Sequence, residues 1–108
     1  MLPHVLTLFL TIAGPNATLD SPGVPGAIAQ AEPGRFISPR SYDDTLKYFR
    51  RYFNARGGVR WRSIVNLPSV KAQHIESLRK KTKWEGINIY ETKGRVHYYV
   101  IPRHATPD

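Results

Sequence analysis

Hydrophobic and polar positions alternate most clearly near the C-terminal end of the chain. Ile87 to Tyr90 and Arg95 to Ile101 are β-favouring runs separated by Thr92-Lys93-Gly94. Gly94 can take the positive φ that a tight hairpin needs, so this stretch predicts two antiparallel strands. Pro102 ends the second strand, because it has no N–H to give to a ladder. Two registers are open. A two-residue Lys93-Gly94 loop pairs Ile89 with Tyr98, whereas a longer, bulged loop pairs Ile89 with His97 and Glu91 with Arg95. The choice decides whether His97 or Tyr98 faces the core.

Upstream the period changes. Tyr42, Leu46, Phe49 and Phe53 recur at spacings of 4, 3 and 4, which is one stripe of an amphipathic helix. Ser41 stands at the N-cap position, three residues before Asp44, and Asp43 and Asp44 sit where the helix dipole favours acids. Gly57 or Gly58 ends the helix. Val59 to Asn66 alternates again, with Val59, Trp61, Ser63 and Val65 on one side and Arg60, Arg62 and Ile64 on the other. Residues 70–78 read as a strand, with Val70, Ala72 and His74 opposite Lys71, Gln73 and Ile75, or as a helix capped by Ser69. The spacings of 5 and 3 between Val70, Ile75 and Leu78 make a poor helical stripe, so a strand is expected. The fold class that follows is α+β: one N-terminal amphipathic helix packed on a three- or four-stranded antiparallel meander sheet.

The N-terminal third has a different character. Residues 5–13 form a predominantly apolar run of nine, interrupted only by Thr7 and Thr11, short of the ~20 residues needed to span a bilayer but suited to the core of a signal peptide. Ala29 and Ala31 supply the small-x-small pattern of a cleavage site. Against this, positive charge before the run is sparse, and the Pro- and Gly-rich stretch from Ala13 to Ala31 is long. The organisation expected is a signal peptide or disordered segment over 1–31, a linker over 32–40 held extended by Pro33, Gly34 and Pro39, a small basic domain over 41–103, and a frayed tail over 104–108. The same reading places the protein in the periplasm or outside the cell, with no transmembrane segment in the mature chain.

Charge narrows the class of partner. Lys and Arg are absent before Arg35, so residues 32–108 hold 16 basic residues against 7 acidic ones, a formal +9. That balance points to an anionic partner: nucleic acid, acidic polysaccharide or membrane headgroups. With no cysteine, disulfides, thiol catalysis and zinc–thiolate sites are excluded. The histidines have no metal-ligand spacing, and no cofactor motif is present, so neither a metal nor a cofactor is expected.

The candidate binding set is basic and aromatic: Arg60 and Arg62 on one strand, Arg79, Lys80, Lys81 and Lys83 on a loop, Lys93 and Arg95 at the hairpin tip, with Tyr90 and Tyr99 among them. Exposed aromatics flanked by cations on a sheet hold single-stranded nucleic acid by stacking and phosphate contacts. The competing reading makes those aromatics the core and the cations its solvated rim. For catalysis the candidates are His74, His97 and His104 with Glu76, Glu85 and Glu91. Of these Glu91 and His97, with Arg95, form the candidate catalytic set, a base, an acid and a cation around one hairpin, as a secreted ribonuclease needs. The sequence as a whole reads as a small exported, non-enzymatic binding or accessory module. The alternatives are a ribonuclease-like enzyme and an envelope protein that pairs through an edge strand.

Overall fold

The computed structural model describes residues 19–103. Helix α1 (Tyr42–Arg56) begins where the capping pattern places it. Ser41 is extended at φ −62° and ψ 166°, and its hydroxyl accepts the Asp44 N–H at 3.1 Å. The helix closes at Gly57, whose N–H donates to the Phe53 carbonyl. Strands β3 (Val59–Asn66), β4 (Val70–Ser77), β5 (Trp84–Thr92) and β6 (Arg95–Pro102) follow as an antiparallel meander, so residues 70–77 are a strand. Lys93 and Gly94 have φ of 53° and 76°, the two positive values of a type I′ turn, whose twist matches its flanking strands. Thr92 therefore pairs with Arg95 and Ile89 with Tyr98, and Tyr98 faces the core.

The sheet is larger than expected. It has six strands in the order β1-β2-β6-β5-β4-β3, not three or four. The two additional strands, β1 (Ile28–Ala29) and β2 (Arg35–Ser38), precede the helix, which is therefore not the first element. β2 lies within the segment read as a linker and β1 just before it. β2 pairs with β6, Phe36 opposite Tyr98, which covers backbone groups that would otherwise form an open edge.

One core explains this addition. Tyr98 is 1% exposed, stacked on Phe36 at 5.0 Å and met edge-on by Phe49 at 5.4 Å. Its hydroxyl accepts the N–H of Val24, itself fully buried, at 3.1 Å. The Tyr48 hydroxyl likewise donates to the Gly23 carbonyl at 2.6 Å. Residues upstream of Ala31 thus contribute to the domain's interior, with Ala27 also buried. The apolar run at 5–13 and the tail at 104–108 lie outside the described residues. Among the described residues no helix is long and apolar enough to cross a membrane.

Candidate functional site: the open face of the sheet

Because paired strands place partners on the same face, the registers divide the sheet cleanly. The face toward α1 carries Phe36, Tyr98, Val100, Ile87, Ile89 and Ile75, all buried. On the other face every side chain is half-buried or exposed. Across its middle runs one row, Arg62–His74–Asn88–Tyr99–Arg35, each opposite the next. Five strands at a spacing of about 4.8 Å make this row on the order of 19 Å long. Beside it runs Val65–Ala72–Tyr90–His97–Ile37. A bulge between Ser63 and Val65 moves Val65 to this face, away from the side of Trp61 expected from simple alternation.

The aromatic part is built from cross-strand pairs. Tyr90 and His97 stack with centroids 5.0 Å apart and planes 10° apart. The Arg35 guanidinium lies 4.2 Å from the centre of the Tyr99 ring and 2.8 Å from Glu32. That arrangement covers one face of Tyr99; its neighbour on the other side is the small Asn88. Arg35, Ile64, Ala72, Asn88, Tyr90 and Tyr99 line a shallow cleft of about 340 Å³. Burial, then the nearby Arg95 and Arg35 charges, push the His97 imidazole below its ordinary 6.5, which keeps it neutral and able to stack at pH 7.

The polar part lies at the Arg60 end, where Arg60, Arg62, His74, Glu76, Glu85 and Arg103 line a cleft of about 380 Å³. Arg60 donates to Oε1 of Glu76 from Nε at 3.1 Å and from Nη2 at 2.7 Å. This bond holds the Glu76 carboxyl below the usual range. The His74 Nδ1 faces Oδ1 of Asn88, an oxygen that can only accept, so Nδ1 carries a proton and donates. The ring lies across Gly86. A Cβ there would stand 2.5 Å from His74 Cε1 and 2.9 Å from Nε2, so only glycine admits this ring position.

The sequence-derived residues divide by place. Arg60, Arg62, Tyr90, Tyr99 and Arg95 share the open face, so these two tyrosines stand outside the core. Lys80, Lys81, Lys83 and Lys93 are exposed on turns. Arg79 is engaged elsewhere: its Nη2 donates to the Arg56 carbonyl at 2.7 Å, across the end of α1. The candidate catalytic set is split, since Glu91 pairs with Val96 on the helix side while His97 pairs with Tyr90 on the open side. Asn88, Gly86 and Arg35, which with His74 build the middle row and its floor, were not among the residues singled out by sequence, whereas His74 was one of the histidine candidates for catalysis. The signal available was Gly86, a glycine inside a strand, which marks a close approach. A scan of protein-family models, a search of curated proteins and a search of solved structures each give no match to this chain.

Proposed function

We propose that this protein is an exported binding module that holds single-stranded nucleic acid on the open face of its sheet. The observation that carries the reading is the row Arg62–His74–Asn88–Tyr99–Arg35 with the Tyr90–His97 stack beside it. Aromatic rings here stand among cations on an uncovered sheet, which suits bases stacked on rings and phosphates on guanidinium groups. The apolar run at 5–13 supports export, so the partner is met in the periplasm or outside the cell. A merely basic surface would attract acidic polysaccharide equally.

Titrating the protein with a single-stranded oligonucleotide and with an acidic polysaccharide, at 0.05 M and 0.3 M salt, separates these outcomes. Three phosphate contacts, from Arg62, Arg95 and Arg35, weaken binding about 40-fold over that range. The stacking term remains, worth about 1–3 kcal/mol per base, so the oligonucleotide stays bound at the higher salt and the polysaccharide does not. Equal loss of both at 0.3 M salt contradicts the proposal. Pairing through the outer edge of β3 is less well supported, because the bulge at Ser63–Val65 breaks the regular ladder a partner strand would extend.

A further inference from the structure

The polar cleft at the Arg60 end holds more than an anion-binding rim needs. We propose that it is a catalytic site that cleaves single-stranded RNA by transfer of the phosphodiester to the neighbouring 2′-oxygen, an inference that rests on the nucleic-acid reading of the same face. RNA brings its own nucleophile, the 2′-hydroxyl. The protein then has to supply a base, an acid and a cation around one phosphate.

All three stand together on the floor of this cleft. Glu76 and His74 are two residues apart on β4 and point to the same face, about 6.6 Å apart along the strand. That separation lets each reach an opposite side of one phosphodiester within hydrogen-bonding distance. Both Arg60 N–H groups bind Oε1 of Glu76, so Oε2 is turned to other use. Arg62 is directly opposite His74 on β3, exposed, and no side-chain bond to it occurs among the described residues. It is the cation placed to meet the phosphate. Asn88 is a positioning residue: by accepting from Nδ1 it aims the imidazole. Gly86 leaves the room in which the ring lies.

The step balances with these groups alone. Glu76 takes the proton of the 2′-hydroxyl, and the 2′-oxygen forms a bond to phosphorus. The bond from phosphorus to the 5′-oxygen breaks, and protonated His74 gives its Nε2 proton to that leaving oxygen. The products are a 2′,3′-cyclic phosphate and a 5′-hydroxyl, and proton exchange with water returns the two side chains to their starting states. Arg62 holds the charge that develops on the non-bridging oxygens. The charged groups that face this pair are Arg60 and Arg62 from β3, Glu85 from β5 and Arg103 beyond β6.

The test uses the full chain, an end-labelled single-stranded RNA and its 2′-deoxy counterpart, which binds but has no nucleophile. The wild-type protein is expected to cut the RNA and leave a 2′,3′-cyclic phosphate. His74→Gln and Glu76→Gln are each expected to lose roughly 10²–10⁴-fold in rate at saturating RNA, where weaker binding does not limit the reading. Asn88→Ala is expected to lower the rate at saturating RNA and Asn88→Asp, which restores an acceptor for Nδ1, to recover it, a rescue that a purely structural role would not give. RNA left intact while the deoxy oligomer binds overturns the catalytic site and leaves the binding function standing. Failure to bind or cut overturns both. Cleavage that persists in either glutamine variant assigns the activity to other groups and overturns the proposal.

Discussion

Replacing Tyr98 by Phe removes one oxygen from the centre of the core and tests how the N-terminal segment is attached. The ring keeps its place between Phe36 and Phe49, so no cavity term arises from the aromatic part. What is lost is the acceptor for the Val24 N–H, at a site where both residues are at most 1% exposed. Removing a partner from a buried donor costs about 1–3 kcal/mol, and each kcal/mol lowers the midpoint of a domain this size by about 4–8 °C. A second signature separates this bond from general disruption. Burial pushes the Tyr98 hydroxyl up to about 12. Its contribution is complete below the ordinary value of 10 and is lost as pH rises toward 12, because the unfolded chain gives up the proton first. Two pH units correspond to about 2.7 kcal/mol. Thermal unfolding followed by circular dichroism, at neutral pH and between pH 9 and 11, measures both. A variant with wild-type stability at neutral pH, or one that keeps the full alkaline loss, refutes this account of the core.

Three further outcomes follow from other parts of the molecule. A chain beginning at residue 32 lacks Val24, whose full burial alone is worth about 1.5–3 kcal/mol. Its urea midpoint should fall clearly below that of a chain beginning at residue 19, and equal midpoints would show that 19–31 is dispensable. Ser41→Ala removes the hydroxyl that accepts the Asp44 N–H. It should cost about 1 kcal/mol in denaturant unfolding, and no change would mean the cap is unimportant. His97 has its pKa lowered from 6.5, by burial first and then by Arg95 and Arg35. The stability this carries is present above pH 6.5 and lost as pH falls through the lowered value, since the unfolded chain binds the proton more readily. His97→Gln should flatten that part of the stability profile, and an unchanged slope would assign it to other groups.

Legibility from sequence tracked the length and regularity of each element. The helix was readable because four large apolar residues share one stripe behind a Ser-Asp cap. The β5–β6 hairpin was readable because Lys93-Gly94 suits a two-residue turn, and the competing register was settled only by the positive φ at both positions. β1 and β2 escaped notice for a physical reason: they are two and four residues long and lie among prolines and glycines. Their stability comes from β6 and Tyr98, about sixty residues or more away in the chain. The bulge that carries Val65 to the open face likewise has no local signature in V-R-W-R-S-I-V-N. The basic and aromatic residues of the site were visible as types. Their assembly depended on cross-strand register, which brings His74 to Asn88 and Gly86 and sends Glu91 to the opposite face from His97.

The central claim is that the open face, and not the loop cations or the helix, holds the nucleic acid. Backbone and side-chain NMR shifts recorded while a single-stranded 2′-deoxy oligomer is added test this most directly. Perturbations concentrated on Arg62, His74, Asn88, Tyr99 and Arg35, in the middle row of the sheet, are the result this account predicts. Perturbations confined to Lys80, Lys81 and Lys83, or to Lys47 and Arg51 on α1, would contradict it.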